Sequence, residues 1–329
     1  MNRFLSTAYR MLRLRVLVTV LIFGYLGALS SNNLLGGYVF ELLMAVLALA
    51  FWYLNGTCIN DLADEDIDKI NLKDAPSRPL INHKTSRRTL WLLALAGGVF
   101  SLACAYAISL PAFILLCAAL ALNWVYSMPP VRVSYRGVIA PLLLPMGYVA
   151  LPFLLGLFSA DGKLDGFSSV LLAGMYLSFV GRIVLKDLRD VEGDKKYGKK
   201  TFIVRYGKQK TMYFSGFFWL AGTVVLAVLF ASRSWLLCAI LMTHMLVVSL
   251  ALQRMGSAKS RHVQQVILGA IGQIAAMSML CIAIWLIYDS DLYDMSGKSY
   301  LYLSVLLGVY GAVYGLFVIR NPEEMKVSY

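Results

Sequence analysis

The chain has 329 residues, 59% of them hydrophobic and only 15% charged, with a mean hydropathy of +0.70. That balance excludes a soluble domain of this length and makes the chain an integral membrane protein. The net charge of +12 does not point to nucleic acid. Of the 30 Lys and Arg residues, 27 fall in alternate loops, and Lys163, Arg233 and Lys298 are all that remain for the others.

Ten apolar stretches approach the length of a helical membrane span, about 20 residues. They cover residues 12–30, 37–58, 89–109, 111–127, 137–160, 168–185, 212–231, 234–252, 264–288 and 299–319. By the positive-inside rule both termini and both acidic runs described below face the cytoplasm. The first stretch is a full span with no cleavage pattern behind it and reads as a retained anchor. Cys58, Cys104, Cys117, Cys238 and Cys281 all lie in apolar stretches and read as small hydrophobic packing residues.

Arg3, Arg10, Arg13 and Arg15 precede the first span and read as its cytoplasmic anchor, with Arg13 and Arg15 also in reach of a phosphate at the helix mouth. The second span turns polar at Asn55 and runs into NDLADEDID, residues 60–68, with five carboxylates. Asn60, Asp64 and Asp68 stand at i, i+4 and i+8 and so project from one helical face. Like-charged groups this dense need cations, and oxygen ligands at this spacing suit Mg²⁺, which completes its shell with water and substrate phosphate. The loop that follows carries Arg78, placed to reach back over a bound phosphate, and His83, an exposed loop histidine.

Leu110-Pro111 divides the third and fourth spans, and Pro129-Pro130 ends the fourth in YSMPPVR, with Tyr126, Ser127, Arg132 and Arg136 gathered there. Pro141, Pro145 and Pro152 predict a kinked or partly unwound fifth span. The sixth closes in KDLRDVEGD, residues 186–194, where Asp190 and Asp194 repeat the four-residue spacing on the same membrane side as the first run. His244 and Gln273 read as satisfied packing residues, and Asp289, Asp291 and Asp294 lie on the opposite side, apart from the acidic pair.

Two aspartate clusters at the mouth of a membrane cavity suit a diphosphate bridged by two divalent cations, with an apolar tail among the helices. If the tail is allylic, departure of pyrophosphate leaves a carbocation that aromatic faces can stabilise. Trp52, Tyr53, Trp124 and Tyr126 are the candidates.

The two runs and the loop between them resemble the UbiA superfamily of intramembrane prenyltransferases: NDLADEDID fits its NDxxDxxxD pattern, KDLRDVEGD its second Asp-rich pattern, and YSMPPVR its YSxPPxR loop. The resemblance covers about residues 10–255, with RPL at Arg78 and GKKT at 198–201 also family-like. It implies a single domain over 1–329, all-α and polytopic, with nine helices bundled around a cavity open to the cytoplasm. A tenth, 299–319, would be an addition. Asn60, Asp64, Asp68, Asp190 and Asp194 would bind two Mg²⁺ ions and the diphosphate, the four aspartates being catalytic. Arg78, Tyr126, Ser127, Arg132 and Lys186 would contact substrate.

The expected activity is Mg²⁺-dependent transfer of a prenyl group from a polyprenyl diphosphate to a small-molecule acceptor, aromatic as in quinone biosynthesis, at the inner (cytoplasmic) membrane. Asp61 or Asp187 would serve as the base. A terpene cyclase and transfer to a sugar or glycerol phosphate are the alternatives. A cation or phosphate transporter is the rival of another class, disfavoured because both runs lie at helix mouths on one side.

Overall fold

A computed structural model describes residues 3–31, 37–72, 78–290 and 295–325, Arg3 by its backbone only. Asp291 and Asp294 lie outside the described residues. In chain order the helices are α1 (Arg3–Met11), α2 (Leu14–Leu29), α3 (Val39–Ala63), α4 (Glu65–Asn71), α5 (Arg87–Ile108), α6 (Leu110–Ser127), α7 (Ile139–Pro145), α8 (Leu151–Ser159), α9 (Gly166–Ile183), α10 (Val191–Lys196), α11 (Phe202–Phe230), α12 (Trp235–Ser257), α13 (Arg261–Asp289) and α14 (Gly297–Arg320). Two short strands, β1 (Arg136–Gly137) and β2 (Lys200–Thr201), pair in parallel.

Among the described residues nine spans are long and apolar enough to cross a membrane, and α1 with α2, bent by 59°, would make a tenth. The apolar stretches read from the sequence all reappear. Side-chain caps explain several of the starts: Ser86, Ser109, Ser234 and Ser296 each accept from a first-turn N–H, and Asp165 and Ser168 form a reciprocal capping box. Ser109 is extended (φ −171°) and Pro111 sits in the first turn of α6, which separates the two spans there. The proline-containing fifth span departs from regular α-helix at a π-helical turn, Met146–Ala150, between α7 and α8.

Two compact units emerge, unit 1 of residues 1–163 and 190–205 and unit 2 of 164–189 and 206–329. In unit 1, α3 packs along α5 and α2 along α8. The second pairing brings backbones together: a Cβ on Gly27 would overlap the Phe153 carbonyl, and one on Gly156 the Gly24 carbonyl. Such small-residue contacts replace the hydrophobic drive that lipid does not supply. In unit 2, α12, α13 and α14 pack together. His244 is satisfied as expected, by Ser278 Oγ at 2.8 Å and the Gly308 carbonyl at 2.9 Å. Gln273 departs from expectation, for it makes no hydrogen bond among the described residues.

Candidate active site

Charged side chains gather at one end of unit 1. Helix α3 stops at Asp64, whose backbone (φ −105°, ψ 15°) leaves helical values and also opens α4. The expected unbroken helix is thus interrupted, yet Asp64 N–H donates to the Asn60 carbonyl at 2.9 Å and Asp68 N–H to the Asp64 carbonyl at 2.8 Å. The i, i+4 alignment therefore survives, and Asn60, Asp64 and Asp68 keep a common face. Asp64 and Asp68 are buried, and the half-buried Asn60 donates to Asp64 Oδ2 at 3.4 Å.

Cations converge on this face. Arg132, in left-handed backbone (φ 44°), donates to the Ala63 carbonyl at 2.6 Å and to Asp64 Oδ1 at 3.3 Å, so it caps α3 and touches its last carboxylate. Lys199 Nζ lies 2.8 Å from Asp64 Oδ2 and 3.9 Å from Asp194 Oδ1, bridging the two acidic runs. The β1–β2 ladder fastens the loop after Arg132 to the segment after Lys199, and Tyr135 lies beneath both cations, 4.0 Å from the Arg132 guanidinium and 5.7 Å from Lys199 Nζ.

Asp61 is different. Its Oδ1 takes Arg13 at 2.5 Å and Arg78 as well, and Arg78 lies 3.2 Å from Asp68 Oδ2. Protonating Asp61 would leave Arg13 without its counter-charge and Arg78 with Asp68 alone, which disfavours the role of base expected of it. Arg13 is likewise an internal partner in this ion pair.

The second run joins the first through Asn71 at the end of α4. Its amide donates to the Asp190 carbonyl at 2.8 Å and accepts from Gly193 N–H at 2.7 Å, capping α10 from outside. A Cβ on Gly193 would come within 2.7 Å of that amide, so glycine leaves the room the clamp needs. Asp190 is half-buried at the head of α10 and Asp194 fully buried within it. Burial, then the like charges of Asp64 and Asp190, push Asp68 from its ordinary 3.8 up to about 7, against the pull of Arg13 and Lys199.

Unit 1 thus assembles Asn60, Asp64, Asp68, Arg78, Arg132, Asp190 and Asp194. Tyr126 and Ser127 close α6 just before the loop, half-buried and buried. Lys186 belongs to unit 2, where it donates to Asp187 Oδ1 at 2.8 Å. Trp124 is 48% exposed and packs on Trp91, so its face is turned to the outside of the bundle and not to this site. Asn71, Lys199 and Tyr135 went unassigned from sequence. Asn71 had a signal, since it follows Asp68 at i+3 on the same helical face; Lys199 and Tyr135 meet only through the β1–β2 pairing.

Among the described residues no three carboxylate, histidine or cysteine side chains converge as a preformed metal cage. The donor set still fits Mg²⁺, which takes one or two carboxylates per ion and leaves its other positions to water and phosphate. After burial, the charges of Asp64 and Asp190 both raise the Asp68 carboxyl, so carboxylates of the two runs act on one another here.

Comparison with known proteins agrees with this geometry. The model of the UbiA prenyltransferase family matches residues 16–268. A digeranylgeranylglyceryl phosphate synthase of Thermococcus gammatolerans is 33% identical over 61% of this chain and 70% of its own length. The bacteriochlorophyll synthase 33 kDa chain of Rhodobacter capsulatus is 30% identical over 46% of this chain and 50% of its own length. A UbiA homolog from Archaeoglobus fulgidus, solved bound to DMAPP and Mg²⁺, superposes with a TM-score of 0.58 at 21% identity, covering 96% of this chain and 99% of that one. The chain therefore belongs to the UbiA prenyltransferase family and is a multi-pass membrane prenyltransferase.

Proposed function

We propose that the protein ionises a polyprenyl diphosphate in the presence of Mg²⁺, passes the prenyl group to a small-molecule acceptor and releases pyrophosphate. One observation carries the reading: two acidic runs far apart in sequence meet in unit 1, clamped by Asn71 and bridged by Lys199. Asp64, Asp68, Asp190 and Asp194, with Asn60, would hold two ions. Bound Mg²⁺ would neutralise the diphosphate oxygens and the charge that develops on the leaving group.

The chain's own residues supply the rest. Arg78, Arg132 and Lys199 now balance the carboxylates, and with ions present they are free to turn to the phosphate oxygens. Tyr53 is buried in the core, edge-on to Tyr148, and is the ring we assign to stabilising a nascent cation. The basic loops support an orientation with this end facing the cytoplasm.

The test is pyrophosphate release by purified protein given geranyl, farnesyl or geranylgeranyl diphosphate with and without Mg²⁺. Release should require the ion and fall at least roughly 100-fold in Asp64→Asn and Asp190→Asn, the scale expected when transition-state charge loses its stabiliser. Release without Mg²⁺, or undiminished in both variants, defeats the reading.

A further inference from the structure

One end of unit 2 holds an open recess of about 270 Å³, where the helical turn Val184–Leu188 that follows α9 meets the junction of α12 and α13. Arg189 and Arg261 come to it from two different elements, with the amides of Gln264 and Gln265 beside them. Buried Met255 and half-buried Leu268 give it an apolar lining. Arg261, Gln264, Gln265 and Leu268 stand at i, i+3, i+4 and i+7 of α13 and so share one helical face. All of these residues belong to unit 2.

Further positive charge is fixed nearby. Lys208 Nζ donates to the Ala258 carbonyl at 2.6 Å and Gln264 Nε2 to the same oxygen at 2.9 Å, so the ammonium is held beside the wall of the recess. The sequence from Trp235 to Tyr288 contains no Asp or Glu, while Arg254, Lys259 and Arg261 cluster at the junction. At this end of unit 2, Asp187 takes Lys186 at 2.8 Å, and Glu323 and Glu324, just past α14, are exposed and form no ion pair among the described residues.

Depth and size decide what fits. Arg189 directly follows the candidate span Gly166–Leu188 and Arg261 opens the span Arg261–Asp289, so both guanidinium groups stand at the level of lipid head groups. One arginine at a span end is an ordinary anchor; two from separate spans at one recess offer paired donors to a phosphate. The volume falls below the roughly 300–1,000 Å³ of pockets that enclose a whole small molecule, so the recess takes one charged group and leaves the remainder outside. Next to Leu268, Gly269 is exposed, and a Cβ added there would meet nothing, which leaves a notch for hydrocarbon along α13.

We propose that this recess binds the phosphate of an anionic glycerophospholipid, whose acyl chains lie along α13 past Gly269. A basic recess between membrane helices offers such a lipid both counter-charge and hydrogen bonds. Burial of its chains favours it over free phosphate. The lipid is bound intact and is not a reactant, so the inference stands apart from the prenyl-transfer reading.

The test compares the full chain in nanodiscs of phosphatidylcholine alone and in nanodiscs that also contain phosphatidylglycerol. Phosphatidylglycerol should raise Tm, and native mass spectrometry should find it retained on the released protein. Arg261→Gln should reduce that retention at least roughly tenfold, the scale of a charge-assisted hydrogen bond. Lys298→Gln removes the same charge at the start of α14, whose far end lies by the recess, where Met325 and Val318 pack with Val266, and it should leave retention unchanged. Gln265→Glu keeps both arginines and places a carboxylate in the recess; it should lower retention while Tm in phosphatidylcholine holds, and it decides the question if Arg261→Gln does not fold. Equal Tm in the two kinds of disc, or retention unchanged in Arg261→Gln or in Gln265→Glu, overturns the proposal. Stabilisation in phosphatidylcholine discs by inorganic phosphate, lost in Arg261→Gln, would show a free-anion site and overturn it as well.

Discussion

The two units handle buried polarity in opposite ways. Unit 1 gathers many charges at one end and sets four of its cations against carboxylates, Arg13 and Arg78 against Asp61 and Lys199 and Arg132 against Asp64. Unit 2 spreads a few polar groups through an apolar bundle, satisfies His244 completely and leaves Arg182 with an aromatic ring and a glycine. Pairing accompanies full burial of charge in unit 1, at Asp61, Asp64 and Arg78, whereas the unpaired Arg182 of unit 2 is only half-buried.

That contrast can be broken most severely at Asp61. Asp61→Asn should cost about 3–5 kcal/mol, the scale for removing one partner of a buried pair, and is expected as a large fall in Tm or loss of folded protein on size-exclusion chromatography. A smaller change is expected at the clamp between the acidic runs. Asn71→Ala should weaken Mg²⁺ binding by roughly tenfold, read as the Mg²⁺ concentration needed for half-maximal thermal stabilisation; Gly193→Ala should act in the same direction by crowding the same amide.

A pH series sharpens the comparison from the other side. Asp68 binds its proton more tightly in the fold, near 7, than in the unfolded chain, near 3.8. Metal-free protein should therefore become more stable as pH falls from 7 towards 4, and lose that stability as pH rises through 7. Denaturation scans in chelator at pH 5.5 and 8 measure this. Asp68→Asn should flatten the dependence, and Mg²⁺ should favour the ionised form and so stabilise the protein most at the higher pH. The smallest effect belongs to unit 2: His244→Leu should cost about 1 kcal/mol, the scale of a hydrogen bond between membrane helices, and leave pyrophosphate release intact.

Much of this was legible in the residues. Span positions follow from apolar length, and the break at Ser109-Leu110-Pro111 from the proline and its serine cap. The paired runs showed because a four-residue carboxylate spacing at a membrane helix end has few structural uses. What stayed hidden depends on long-range pairing. That Asp61 is the partner of both Arg13 and Arg78 cannot be read from adjacent aspartates in one run. Arg182 was masked by company: in GRIVLKDLRD it reads as one more juxtamembrane cation, and only its position across Gly272 separates it from Lys186 and Arg189.

The backbone contact between α2 and α8 bears on how the protein is made. Gly27 is translated well before Phe153 and Gly156, and until they emerge the backbone surface at Gly27 lacks its partner. At about 5–20 residues per second, the intervening chain takes roughly 6–26 s to synthesise. For that interval α2 sits in the bilayer or its insertion machinery with its closest-fitting surface open. A side chain added at Gly27 would then act as an assembly defect, separating variants that fail during biogenesis from those that fail in catalysis.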